Sequence, residues 1–152
     1  MNDLPRTALV ANRAKVHGQG MTAHRPRRSA LFLPASNAKA LDKARTLDAD
    51  VVILDLEDAV APEFKEEARA AAVAAVREGG FGRRELVIRA NGIDTPWGRE
   101  DLAAIAEAGP DAVLVPKIAS PEDVLQYNAL ISEASAHSKL WVMIETCAAV
   151  AR

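Results

Sequence analysis

The stretch DADVVILDLEDAV, residues 48–60, places a cluster of acids directly after an apolar run. The run at residues 51–54 is apolar at consecutive positions, which is typical of a strand buried on both faces. Pro62 then suits the first position of a helix, and residues 63–77 are rich in Ala, Glu and Arg before Gly79 ends the pattern. A buried strand followed by a helix is the unit from which parallel α/β proteins are built.

The same unit recurs along the rest of the chain. Further strands are predicted at residues 29–34, 85–90, 111–115 and 140–144, and further helices at residues 37–47, 98–108 and 121–134. Five strands are enough for a doubly wound sheet, whereas a (β/α)₈ barrel needs eight units and about 250 residues. Periodicity alone does not choose between them. No Gly-rich phosphate loop follows any of the predicted strands, which disfavours a nucleotide-binding doubly wound sheet.

Composition and charge narrow the class of protein. The 152 residues are 49% hydrophobic and 26% charged, which is typical of a globular domain. The formal net charge of -2 gives no electrostatic reason to expect nucleic acid or an anionic membrane as a partner, and acids interrupt every apolar run before it reaches the ~18 residues of a membrane span. Cys147 is the only cysteine and cannot form an internal disulfide, so we predict a cytoplasmic protein.

Residues 1–27 differ from the rest of the chain. They are rich in Arg, Asp3 is their only acid, and they show no sustained apolar periodicity. We predict a disordered basic tail over residues 1–27 and a folded domain over residues 28–152. An Arg-rich start is also typical of a transit peptide, which would take the protein to the mitochondrial matrix, and Met21 is an alternative start of translation.

Charged side chains follow four of the predicted strands at the point where each strand ends. They are Glu57 and Asp58, Arg89, Lys117 and Glu145. Because the carboxyl ends of parallel strands share one edge of a sheet, these residues predict a functional site at that edge.

Each residue type has a role that its chemistry favours. The carboxylate of Glu145 suits Mg²⁺, which prefers oxygen ligands and takes only one or two of them from protein. Arg89 offers a planar fork for a substrate carboxylate, and Lys117 adds a second positive charge. Glu57 and Asp58 would orient metal-bound water or fix the arginine, although capping the next helix is an equally good explanation.

Several of these stretches resemble one known family. They are RSALFLPAS (28–36), DADVVILDLEDAV (48–60), P-x-x-K-x-x-A-R (62–69), IRANG (88–92), VPKIAS (115–120) and MIET (143–146). In this order they are similar to the citrate lyase β-subunit-like family of the HpcH/HpaI aldolase group. The resemblance runs from Arg28 to the end of the sequence.

The resemblance implies a fold and a set of site residues. The fold would be a phosphoenolpyruvate-binding type of TIM barrel, present here to about five of its eight β/α units. The family's Mg²⁺ is held by a glutamate that matches Glu145 and by an aspartate one strand later that has no counterpart here. Arg89 matches the family's arginine for the substrate carboxylate. Together with the roles that residue chemistry favours, the predicted catalytic residues are Glu57, Asp58, Arg89 and Glu145, and the predicted substrate-binding residues are Arg28, Arg89, Lys117 and Glu145.

The resemblance also implies a reaction. Family members cleave or form 3-hydroxyacyl thioesters such as citryl-, malyl- or citramalyl-CoA by a retro-Claisen route, and the resemblance implies a trimer or hexamer acting on a CoA or acyl-carrier thioester. Two alternatives stay open. One is a non-catalytic thioester-binding or subunit-interaction module, and the other is a metal-dependent aldolase acting on free 2-oxo acids.

Overall fold

The structure, a computed structural model, describes residues 25–135 and 137–151. Within them the chain forms one parallel sheet of five strands: β1 Ala30–Pro34, β2 Val51–Asp55, β3 Glu85–Arg89, β4 Ala112–Val115 and β5 Lys139–Val142. Each predicted strand is confirmed to within one or two residues, and the largest difference is in β5, where pairing with β4 ends at Val142.

A helix follows each strand. The helices are α1 Ala38–Ala44, α2 Lys65–Glu78 with a 3₁₀ turn Pro62–Phe64 before it, α3 Gly98–Ala108, α4 Pro121–Ala134 and the short α5 Cys147–Val150. Capping residues set where two of these helices begin or end. Ser120 and Asp123 form a reciprocal capping box at the start of α4, and Gly109 ends α3 in a left-handed conformation with φ 71°. None of the helices in the described residues is long and apolar enough to cross a membrane.

The order of the strands decides between the two architectures that periodicity left open. Strands that are consecutive in the chain are neighbours in the sheet, in the order β1-β2-β3-β4-β5, and every pair is parallel. A doubly wound sheet reverses direction at a switch point, whereas a barrel adds each strand to the same side of the previous one. The described chain therefore has the arrangement of a β/α barrel, with five units.

Both faces of the three central strands, β2, β3 and β4, are buried, which explains their consecutive apolar positions. Val52, Leu54 and Ile88 face the helices and pack in the larger hydrophobic cluster. Val51 and Val87 face the barrel interior and pack in a smaller cluster with partly buried Trp141 and Met143. The larger of these two apolar layers holds the helices against the sheet.

Arg28 lies at the amino-terminal edge of the sheet, which corrects its predicted role in substrate binding. Its guanidinium pairs with Asp50, at 2.9 Å from Nη2 to Oδ1, and Asp50 immediately precedes β2. Parallel strands carry their functional residues at the carboxyl edge, and Arg28 precedes β1. A full strand therefore separates Arg28 from the site at the other edge.

Two further arginines of the segment before β1 are attached to the same edge. Arg27 Nε donates to Glu85 Oε2 at 2.6 Å, and its guanidinium stacks 5.0 Å from the centre of the Trp141 ring. Arg25 lies 3.6 Å from Asp111, just before β4. Residues 1–24 of the predicted tail lie outside the described residues, and Arg25 and Arg27 contact the folded domain.

We expect Arg27→Met to lower the urea concentration at which the protein unfolds. The substitution leaves the Glu85 carboxylate, only 3% exposed, without its partner inside the folded structure. Arg83→Met is the matched control because its partner Asp48 is exposed, and surface pairs contribute little. Equal midpoints for Arg27→Met and the unsubstituted protein would contradict the importance of this contact.

Candidate functional site

The site lies where β2 and β3 end, beside the loops that follow β4 and β5. Asp55 and Arg89 are the last residues of β2 and β3, and the parallel register places them directly opposite each other. They have the same parity as Val51 and Val87, so their side chains point into the barrel interior. Sheet geometry therefore brings an acid and a base together that are 34 residues apart in the chain.

Asp55 and Arg89 form a bidentate ion pair. Arg89 Nε donates to Asp55 Oδ1 at 2.7 Å and Nη2 donates to Oδ2 at 2.6 Å, and the two residues are 7% and 1% exposed respectively. This pair was not predicted from the sequence. The sequence does contain an acid, Asp55, and a base, Arg89, each at the end of an apolar run. Whether the two side chains meet on the same face of the sheet depends on the register of the strands, which a single sequence does not reveal.

The pair fixes the charge of both groups. Burial raises the pKa of Asp55, but hydrogen bonds from Arg89 and from the backbone N–H groups of Glu57 and Ala59 outweigh it, and the pKa lies below its ordinary value. The hydrogen bond to Asp55 raises the pKa of Arg89. A permanently charged guanidinium is therefore held inside the barrel.

Glu57 and Asp58 both lie near the guanidinium of Arg89. Glu57 Oε2 is 3.0 Å from Arg89 Nη1 without hydrogen-bond geometry, and this buried oxygen has no hydrogen-bond partner in the described part of the chain. Asp58 is more distant, at 3.7 Å, and is largely exposed. Glu57 therefore contacts the arginine, and its Oε2 atom can still accept a hydrogen bond.

Lys117 connects this cluster to Glu145. Its Nζ donates to Glu57 Oε1 at 2.5 Å, and its backbone N–H donates to Glu145 Oε1 at 2.9 Å. Among the described non-glycine residues it is the one with positive φ, 54°, a conformation that is costly for a side chain and is often found at functional sites. Contacts with Glu57 raise the pKa of Lys117, which keeps its ammonium charged.

The guanidinium of Arg89 is enclosed on its other sides by side chains. Phe32 lies under it, with 5.3 Å from the guanidinium carbon to the ring centre, and Met143 Sδ is 3.7 Å from Nη1. Asp55 occupies the Nε and Nη2 edge, so a substrate carboxylate would have to use the Nη1 and Nη2 edge. The predicted fork is present, but one of its edges already has a protein partner.

The donors at this edge fit a hard cation such as Mg²⁺. They are carboxylate oxygens, and Glu145 is exposed at the end of β5 with only Oε1 engaged by Lys117. The described residues contain no cluster of three or more His, Cys, Asp or Glu side chains that could hold a metal by itself. Mg²⁺ commonly takes one or two protein carboxylates and completes its shell with water and substrate oxygens, so a single donor is compatible with it.

A cavity of about 640 Å³ opens next to the site. Glu57 and Lys117 form the wall that it shares with the site, and Thr95, Arg99 and Tyr127 line the rest. Tyr127 is buried, and its hydroxyl accepts the backbone N–H of Ile93 at 3.0 Å. The volume is within the range of cavities that bind small molecules.

The chain matches one protein family over most of its length. The family model described as HpcH/HpaI aldolase/citrate lyase matches residues 28–152. A (3S)-malyl-CoA thioesterase of Cereibacter sphaeroides is 45% identical over 121 residues, which are 80% of this chain and 41% of that protein. An L-malyl-CoA/beta-methylmalyl-CoA lyase of the same organism is 40% identical over 111 residues, 71% of this chain and 35% of that protein.

Solved structures share the fold. The citrate lyase beta subunit of M. tuberculosis, complexed with oxaloacetate and magnesium, superposes with a TM-score of 0.64 at 30% identity, covering 82% of this chain and 52% of that one. It has a TIM-barrel-like fold. The chain spans about two fifths of the length of the curated relatives it matches.

We expect Asp55→Asn to lower the free energy of unfolding at pH 7 by about 3 kcal/mol, because it removes the carboxylate that accepts two hydrogen bonds from the buried Arg89. The folded pKa of Asp55 is lowered, so its contribution is complete above its unfolded pKa of about 3.9 and is lost as the pH falls through the folded pKa. Urea unfolding of both proteins between pH 7 and pH 3 measures this. The exposed Asp42→Asn serves as control, and a difference that does not shrink on acidification would contradict the prediction.

Proposed function

The chain belongs to the HpcH/HpaI aldolase/citrate lyase family, and we propose that the whole protein is a Mg²⁺-dependent lyase that cleaves a carbon–carbon bond of a 3-hydroxyacyl-CoA thioester. The proposed products are a 2-oxo acid and the CoA thioester of the remaining acyl group. Citryl-, malyl- and citramalyl-CoA, which would give oxaloacetate, glyoxylate and pyruvate, are the candidate substrates. The oligomeric state and the cytoplasmic location stay predictions.

The proposal rests on the contacts among four charged residues. A continuous series of polar contacts links Arg89, Glu57, Lys117 and Glu145 at the carboxyl ends of four strands. A carboxylate-binding cation and an oxygen donor for a hard metal are therefore parts of one site. A 2-oxo acid presents a carboxylate and an adjacent oxygen, which are the two groups that such a site would bind.

The residues of this chain bind and orient the substrate. The Nη1 and Nη2 edge of Arg89 would receive the carboxylate, and the bidentate contact with Asp55 fixes the orientation of the guanidinium. Glu57 Oε2, which has no hydrogen-bond partner among the described residues, would accept a hydrogen bond from the 3-hydroxyl group or from a bound water. When bound, Mg²⁺ would be held by Glu145 and would polarise the oxygen that becomes the carbonyl of the 2-oxo acid.

The reaction balances without any external oxidant or reductant. The carbon–carbon bond breaks as the hydroxyl loses its proton and becomes the carbonyl of the 2-oxo acid. The electron pair passes to the thioester fragment as an enolate, which takes up a proton to give the acyl-CoA product. Electrostatic stabilisation of the charge that develops on oxygen supplies most of the catalysis in reactions of this class.

Hydrolysis of the thioester is a second candidate because one of the relatives reported above is a (3S)-malyl-CoA thioesterase at 45% identity, against 40% for the malyl-CoA lyase. The products distinguish the two functions. With malyl-CoA, the lyase releases glyoxylate and acetyl-CoA, whereas the thioesterase releases malate and free CoA. Chromatography of the products formed by the whole protein decides between them.

We expect Glu145→Gln to abolish Mg²⁺-dependent turnover in the whole protein. The amide keeps the shape of the side chain but removes the negative charge that binds the cation. Paramagnetic titration with Mn²⁺ should show weaker metal binding, and the exposed Glu133→Gln on α4 should behave like the unsubstituted protein. Full activity in Glu145→Gln would exclude Glu145 as the metal ligand.

We expect Arg89→Lys to raise the KM for the substrate by about ten- to a hundredfold. An ammonium cannot contact Asp55 and a substrate carboxylate in the same planar geometry, and a lost hydrogen bond to a charged group costs about 1.5–3 kcal/mol. Steady-state kinetics measure the effect, with the exposed Arg77→Lys as control. An unchanged KM and kcat would remove Arg89 from the substrate site.

A further inference from the structure

Lys65, the first residue of α2, is a buried cation that the proposed mechanism does not use. It is 6% exposed, and its Nζ donates to the carbonyl oxygens of Leu56 at 2.7 Å and Glu57 at 2.6 Å and to Asn91 Oδ1 at 2.8 Å. These contacts use all three N–H donors of the ammonium. The ring of Trp97 covers it at 5.5 Å.

Stability alone does not account for this lysine. Its hydrogen-bond acceptors are neutral carbonyl groups, and none of the ion pairs among the described residues includes it. Burial lowers the pKa of Lys65, and the nearby carboxylates of Asp55 and Glu57 oppose that shift. The role of the lysine is therefore best read from the three groups that its ammonium contacts.

Its backbone acceptors belong to the segment that holds the arginine. The N–H of Leu56 donates to the carbonyl of Arg89 at 3.0 Å, and the N–H of Glu57 donates to Asp55 Oδ1 at 2.8 Å. Lys65 therefore binds the carbonyl groups of the two residues whose N–H groups contact Arg89 and its carboxylate partner. Moving that segment would move the guanidinium.

Its third acceptor belongs to the loop that follows β3. Asn91 Nδ2 donates to Leu56 O at 3.0 Å and to Asp101 Oδ2 at 2.6 Å. Asp101 also lies 3.2 Å from Arg69, which is one helical turn after Lys65 on α2. The P-x-x-K-x-x-A-R motif thus contacts Asn91 directly through its lysine and indirectly through its arginine.

We propose that Lys65 is a positioning residue for binding of the substrate carboxylate. It fixes the Leu56–Glu57 backbone against Asn91, so that Asp55 and Glu57 hold the Nη1 and Nη2 edge of Arg89 toward the substrate. The inference rests on the proposed function, because it concerns the same arginine. It predicts an effect on binding of the 2-oxo acid and none on binding of the metal, since Lys65 has no contact with Glu145 or Lys117.

The test compares Lys65→Met with the exposed Arg77→Met on the same helix, both in the whole protein. Calorimetry measures Mg²⁺ binding alone and then the binding of glyoxylate, pyruvate and oxaloacetate in turn at saturating Mg²⁺. Replacing a group that orients a metal-binding side chain lowers affinity or activity by about 10- to 100-fold, and Lys65 has the corresponding position relative to Arg89. We expect Lys65→Met to weaken 2-oxo acid binding by that factor with unchanged Mg²⁺ affinity, and to raise KM more than it lowers kcat.

Each outcome has a distinct meaning. If the unsubstituted protein binds none of the three acids, the proposed function is wrong and this inference falls with it. If it binds one of them and Lys65→Met binds it equally well, only the positioning role is wrong. Equal weakening of metal and acid binding would show a general structural role and would also contradict the inference.

Lys65→Arg keeps the test decisive if Lys65→Met does not fold. It retains the positive charge, but a planar guanidinium cannot direct three N–H groups at the three acceptors around Lys65. We expect a smaller loss of 2-oxo acid affinity with unchanged Mg²⁺ affinity. Binding of the acid at full strength in Lys65→Arg would overturn the positioning role.

Discussion

The ion pair between Asp55 and Arg89 is the interaction on which the rest of the site depends. It joins the last residues of two adjacent strands inside the barrel, where both groups are removed from water. Such a pair recovers its desolvation cost only when its geometry is good and its other hydrogen bonds are made. Two bonds between the side chains and two more from backbone N–H groups to Asp55 meet that condition.

The site extends outward from this pair across the carboxyl edge of the sheet. Glu57 contacts both Arg89 and Lys117, and Lys117 contacts Glu145 through its backbone. Arg89 ends β3, and the other three residues follow the ends of β2, β4 and β5. The spacing of the strands therefore sets the distance between Arg89 and the proposed metal ligand, Glu145. Lys65 reaches the same segment from the helix layer, which ties the site to the packing of α2 against the sheet.

The two edges of the sheet have different roles. At the amino-terminal edge, arginines of residues 25–28 pair with acids at or before the starts of β2, β3 and β4, and these pairs hold the segment before β1 in place. At the carboxyl edge, the charged groups contact one another beside a cavity that Glu57 and Lys117 line. This division is general in β/α barrels, whose loops after the strands carry function. It explains why Arg28 has no part in the site although it opens a motif shared with the family.

The strand–helix units, the parallel sheet and the positions of Glu57, Arg89, Lys117 and Glu145 at strand ends can be predicted from the sequence, because these depend on local periodicity and on where each apolar run stops. The three-dimensional fold was needed to show that Asp55 is the partner of Arg89, that Lys65 contacts the same segment and that Arg28 lies at the opposite edge. Those facts depend on register and strand order, which bring together residues far apart in the chain. Side-chain contacts of that kind leave no periodic trace in a single sequence.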